Sequence, residues 1–264
     1  MNTGTSTMYA IKSELLKLWI PAIRNTAIIG LVAYLLLIFV AANPNNYGDL
    51  PTGVRIFSYQ FVTQSWSLLI LFAAVVGTLA VTAEYSHNTM RSTLLAIPNR
   101  FKAAGAKFIA VALCALGYFA IIFSCSALLA KIRLGSAMAY RRGDLSAISV
   151  ALIILIATTL LSTAFGYLLR STAGSMAMII FLFYILGIVQ LIPRKFFMET
   201  LPHWLPMSLA NRAMEVGKYG DGGDLLGPVT DPYFSSPWLA LAIYCGYLLV
   251  AVIAALVVYR KRDA

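Results

Sequence analysis

Charge is scarce in this chain. Only 11% of its 264 residues are Asp, Glu, Lys or Arg, while 60% are hydrophobic; a soluble domain carries about a quarter charged residues. A deficit of that size excludes an ordinary soluble fold and makes the bilayer the solvent. Acid is scarcer than base, with ten carboxylates against twenty Lys and Arg and a formal net charge of +10. The surplus does not describe a nucleic-acid surface, which needs a basic stripe on a soluble fold. The bases stand instead at the ends of apolar runs, where lipid headgroups lie. Cysteine is limited to Cys114, Cys125 and Cys245, each inside an apolar run and without CxxC spacing, so they read as small membrane-core residues rather than redox or metal ligands. His87 and His203 stand apart from one another and from every cysteine, and no metal site is expected.

Six apolar runs approach the roughly 20 residues that cross about 30 Å of hydrocarbon: 26–42, 61–83, 103–130, 146–169, 174–192 and 238–259. The first is short, and the third is long enough to tilt or to begin in the interface. The fourth and fifth are parted only by "RSTA" at 170–173, which predicts an antiparallel hairpin. There is no internal repeat and no linker to a second soluble domain, so 1–264 reads as one transmembrane domain. Some 25 residues precede the first run and are themselves patterned, which disfavours a cleaved signal peptide.

With the N-terminus inside, the cytoplasmic segments hold eleven bases and the outer segments nine, and the first two segments hold three inside against one outside. The positive-inside rule then gives cytoplasmic N- and C-termini, the latter ending in "YRKRDA".

The middles of the runs lack Asp, Glu, Lys, Arg and Pro altogether. That absence argues against proton relays, charged filters and voltage sensors, whose charges must lie within the membrane. It also disfavours the broken helices of many secondary carriers. No HExxH or GxSxG motif suggests an intramembrane protease, and no phosphate-cradling GxxxxGK[ST] loop is present. The chain is therefore not expected to be an enzyme by itself. Uncharged polar residues in the runs, Thr63, Gln64, Ser65, Ser67 and Gln190, suit helix–helix hydrogen bonds or contact with an amphipathic cargo.

Between the second and third runs stands "EYSHNTMRSTLLAIPNRFKAAGAK", residues 84–107. Asn88 can cap a short helix on which Met90, Leu94 and Ile97 share one apolar face, and Pro98 closes it. Asn99 can cap the third span, with Arg100, Lys102 and Lys107 at headgroup depth. Glu84 follows the second run at a helix C-terminus, where the dipole disfavours an anion. It needs a cationic partner, and Arg91 or Arg100 is near enough in sequence to serve. An ordinary interfacial loop would also snorkel its bases; a docking helix would fit its apolar face into a partner's groove.

These residues carry a resemblance. Glu84, Thr89, Arg91, Leu94, Pro98, Arg100 and Lys107, in the loop between spans two and three, match a pattern similar to that of membrane subunits of ABC-2 type exporters. Asn88 stands where that pattern often has Gly. The resemblance covers the whole chain in topology and this loop in residues. It implies an all-α, six-span fold of the type V exporter kind, in which the loop holds a coupling helix including Met90 and Ile97 that touches an ATP-binding subunit. It further implies two permease chains, identical or related, with two ATPase chains that bind ATP and Mg; no cofactor is expected in this chain. Spans one, two and five would line the path, making Gln64, Ser67, Tyr184 and Gln190 candidate contacts for a hydrophobic or amphipathic substrate.

The family's interfacial helix before the first span is expected at 8–24, where Ser13, Glu14, Lys17 and Arg24 lie on one arc and Ile11, Leu15, Leu18 and Trp19 largely opposite. Pro21 would kink its passage into the membrane. The segment 193–236 is the longest connection, with Trp204 at interfacial depth and Pro206 starting a short helix that ends near Gly217. The family places an external re-entrant hairpin there. Asp221, Asp224 and Asp231 lack calcium-loop spacing. The expected setting is the bacterial cytoplasmic membrane. A membrane-anchoring partner without transport, or a secondary transporter or channel, is the alternative reading.

Overall fold

The computed structural model describes residues 3–44, 56–57, 66–87, 89–90, 95, 99–135, 138–139, 142–191, 200–218 and 236–261. Hydrocarbon offers no hydrogen bonds, so a spanning segment must satisfy its own backbone, and the described residues are helical almost throughout. Helix α1 is Thr3–Lys17, and α2, Pro21–Ala41, follows after a bend. Pro21 sits at the first helical position, where its missing N–H costs nothing. The anticipated kink is thus a change of helix, and the first span is longer than the short run 26–42. Helix α3 is Trp66–Ser86, and α4, Arg100–Leu134, begins at Asn99, whose side chain accepts from the Lys102 N–H at 3.2 Å. Helix α4 stops at Gly135, which takes φ +55°, a conformation glycine adopts without steric cost.

Helix α5, Arg142–Leu169, turns through Arg170 at φ +50° into α6, Thr172–Ile180. Ser171 caps α6 by accepting from the Gly174 N–H at 3.2 Å. The winding then changes twice, to a π turn at Phe181–Ile185 and a 3-10 stretch at Leu186–Leu191. Further along, a 3-10 turn at Leu201–Trp204 leads to α7, Pro206–Met214, and another 3-10 turn at Glu215–Lys218. The last helix, α8, is Pro237–Lys261. A two-residue parallel bridge joins β1, Ile56–Phe57, to β2, Met138–Ala139.

Helices α2, α3, α4, α5 and α8 are long and apolar enough to cross a membrane. The fifth of the six expected runs differs: it is helical over 172–191 but is not one continuous α-helix. Burial is that of a membrane bundle. Ile28, Ile29, Val32 and Leu36 on α2 and Leu249, Val250 and Ile253 on α8 are exposed apolar residues, while Thr158, Thr159 and Ser162 on α5 are fully buried. Those hydroxyls donate to carbonyls one turn back on their own helix at 2.8 Å, so they enter the core already satisfied.

The centre of the bundle is the α3–α5 pair. Gly77 lies so close to the Thr159 carbonyl that any Cβ would collide with it, and at Gly166 a Cβ would stand 3.1 Å from that of Val81. Small residues let two backbones approach in this way, and packing then holds them. Two cross-helix hydroxyl bonds extend the seam, Thr82 with Thr172 at 2.9 Å and Thr158 with Tyr244 at 2.6 Å. Around it lie Tyr34 and Ile38 of α2, Leu69 and Ile70 of α3, Phe119 and Ile122 of α4, and Ile179 of α6.

Candidate functional site

At the C-terminal end of α3, Glu84 ends up 7% exposed, and the dipole at that end works against it. Its compensation comes from two other helices. Lys107, in the second turn of α4 and 3% exposed, places its amine 2.7 Å from Glu84 Oε1. The same amine lies 2.9 Å from Glu14 Oε2 on α1 and donates to the Ala80 carbonyl at 3.2 Å. One amine thus pairs with two carboxylates and donates a hydrogen bond to a backbone carbonyl. Lys17 closes the ring from the solvent side, donating to Glu14 Oε1 at 2.6 Å and Glu84 Oε1 at 3.0 Å.

Two acids and two bases make the group neutral as a whole, which is what allows it to sit where Glu14 is 1% exposed. Among the described residues, Glu84 Oε2 is buried with no hydrogen-bond partner. Lys17 is only half-buried. Desolvation pulls its pKa down, but the hydrogen bond to Glu14 and the charges of Glu84 and Glu14 outweigh that and raise it above 10.5. A buried ion pair adds little net stability over an apolar replacement, but removing one partner strands the other. The network therefore fixes the register of α1, α3 and α4 more than it stabilises the bundle.

This geometry corrects two expectations. Among the described residues Glu84 pairs with Lys17 and Lys107, neither of which the sequence offered as its partner, while the Arg100 guanidinium donates to the Tyr259 carbonyl at 3.3 Å. Helix α1 is also turned the other way from a simple interfacial helix. Ala10, Glu14 and Leu18 face inward, while Tyr9, Leu16 and Trp19 are 70%, 70% and 71% exposed. An ion pair on its inner face outweighs the apolar pattern, and the apolar outer residues meet lipid.

The loop leaves Glu84 by a short return. The Thr89 N–H donates to the Glu84 carbonyl at 3.0 Å, and Met90 is buried beside Tyr259, whose hydroxyl donates to the Met90 sulfur at 3.6 Å. Met90 is therefore an internal anchor and not part of an outward apolar face. Leu95, which the sequence pattern passed over, is 80% exposed. Arg91, Leu94, Ile97 and Pro98 lie outside the described residues, as does Asn88. On the opposite side of the bundle, the Tyr184 hydroxyl in the π turn donates to the Ser67 carbonyl at 2.5 Å, joining two of the expected path residues. Gln64 and the Gln190 side chain lie outside the described residues.

The segment 200–218 is pinned to the bundle by Trp66, which donates to the Asn211 side chain at 3.1 Å, and by Tyr247, which donates to the Trp204 carbonyl at 3.0 Å. Pro206 opens α7 as expected. No group of three or more potential metal ligands occurs among the described residues. The chain matches no protein-family model and no curated protein.

Proposed function

We propose that this chain is the permease subunit of an ATP-driven exporter of the ABC-2 kind, working with a second permease chain and two ATPase subunits. The observation that carries the reading is the neutral ring Glu14–Lys107–Glu84–Lys17 at the root of the loop 84–107. A passive anchor has no need to bury two ion pairs, whose desolvation is costly. A loop that receives force from a motor does need a stiff root, so that a push on it moves α1, α3 and α4 together. Leu95 offers an exposed apolar contact, and Met90 and Arg100 tie the loop's two ends to Tyr259 of α8.

The residues 172–191 act as a sixth span in this reading. Their α and 3-10 parts alone rise about 25 Å. A span with two changes of winding can yield more readily than one continuous helix, since such turns mark functional hinges. The Tyr184–Ser67 bond joins that hinge to the start of α3 on the outer side. The middles of the apolar runs carry no charge, which suits a hydrophobic or amphipathic cargo moved outward across the cell membrane by alternating access. ATP and Mg belong to the partner subunit.

Co-purification tests the reading. The tagged chain, extracted mildly, should bring down a nucleotide-binding subunit, and Leu95→Asp should release that subunit while leaving the permease folded. If the wild type carries no ATPase, the proposal has no energy source and the anchoring reading replaces it.

A further inference from the structure

One turn deeper than the charge ring, a trough of about 400 Å³ opens between α2, α3 and α4. Its walls are Ile23, Val76, Val111 and Ala115, and Phe119 forms part of its floor. From Val111 to Ile121 it follows α4 for about 15 Å. Ile28 and Ile121 stand at its rim, 53% and 56% exposed, so it opens sideways to the bilayer and not to water. The Tyr118 hydroxyl, donating to the Ala27 carbonyl at 3.0 Å, crosses between α2 and α4 beside it.

The mouth has a different chemistry. Arg24 lines the trough from the first turn of α2, is exposed, and has no side-chain partner among the described residues. A base there opposes the positive end of the helix dipole. No side chain caps that helix end either; Pro21 brings no N–H and that of Arg24 donates to the Ile20 carbonyl, which leaves those of Ala22 and Ile23 for an acceptor. An exposed cation, two uncapped N–H groups and an apolar trough beneath form a pattern complementary to one molecule, an anionic headgroup with a hydrocarbon tail.

We propose that this trough is a binding site for an anionic phospholipid of the inner leaflet, with the phosphate at Arg24 and one acyl chain between α2 and α4. The site wedges the first span against the third just beneath the ring, where it braces α1 from the membrane side. It depends on the bilayer setting alone and is independent of the transport reading.

The test is lipid titration of the delipidated full-length chain in detergent, followed by native mass spectrometry. Dioleoyl-phosphatidylglycerol should fill one saturable site about fivefold more tightly than dioleoyl-phosphatidylcholine, the weight of one base near an anionic surface. Arg24→Gln should remove that preference, and Arg24→Lys should keep most of it. Cys114→Trp, which fills the trough, should abolish the site for both lipids. Equal binding of the two lipids by the wild type would overturn the proposal. So would an unchanged preference in Arg24→Gln, an exposed substitution that should fold, or displacement of the lipid by soluble glycerol phosphate.

Discussion

The amine of Lys107 is held from three sides, by the carboxylates of Glu14 and Glu84 and by the Ala80 carbonyl to which it donates. Lys107→Met leaves Glu14 and Glu84 buried near one another with only half-buried Lys17 between them. We expect a loss of about 3–5 kcal/mol, the usual consequence of breaking a buried pair, seen as a lower melting temperature in detergent. Lys107→Arg should not rescue it, because a planar guanidinium does not fit a buried site built around a single nitrogen. Adding Glu84→Gln to Lys107→Met should cost less than the sum of the single changes, the mark of direct coupling.

Lys17 makes a smaller, pH-dependent contribution. Its folded pKa lies above the ordinary 10.5, so the folded state holds the proton more tightly than the unfolded chain. That stabilisation is complete below the ordinary value and disappears as pH rises through the raised one. Lys17→Met should therefore narrow the difference from wild type only above about pH 10.5, as thermal melts between pH 8 and 11 would show. The need of Glu84 for a cation was readable from its place at a helix end. Which cation answers was not: Lys17 is 67 residues away, and only the fold brings them together.

At the scale of elements, two glycines give opposite predictions. Gly77→Ala puts a Cβ into the Thr159 carbonyl, so α3 and α5 must separate. Overpacking of this kind costs about 1–3 kcal/mol, more than alanine returns in helix propensity. Gly105 on α4 has nothing within 4 Å of its would-be Cβ. Gly105→Ala should stabilise by about 0.5–1 kcal/mol. Thermal unfolding of both variants checks the pair, and equal effects would mean that the α3–α5 contact does not limit stability.

Hydropathy located the spans because length and apolarity suffice for that. It could not give the winding of 172–191, since FLFYI and LGIVQL are as apolar as any α-helical stretch. Nor could it orient α1. An amphipathic pattern assumes that charge faces water, and Glu14 faces Lys107 instead. One cap was more legible, because an Asn before an apolar run signals locally: Asn99 caps α4 as expected, while the Ser171 cap of α6 went unread in the short turn 170–173.

For the whole molecule, the proposed coupling separates two residues of one loop by consequence. Leu95→Asp acts at an exposed position and should abolish ATPase association and transport with the melting temperature unchanged. Met90→Asp buries a charge against Tyr259 and should lower the melting temperature before any question of association arises. A permease with normal stability in both variants would have no use for Met90 as an anchor. The sequence motif marked the loop but read its apolar residues as one face, because a local pattern does not register that α8 ends beside it.

The charge ring also constrains how the protein is made. Glu14 and Lys17 leave the ribosome first, Glu84 follows, and Lys107 comes last of the four. Before Lys107 arrives, the ring's members carry two negative charges and one positive, and α1 has no buried seat to enter. The N-terminal helix must therefore wait at the membrane surface until the third span has been synthesised. Nascent chains halted after the second span should carry an α1 open to protease, and those halted after the third should protect it.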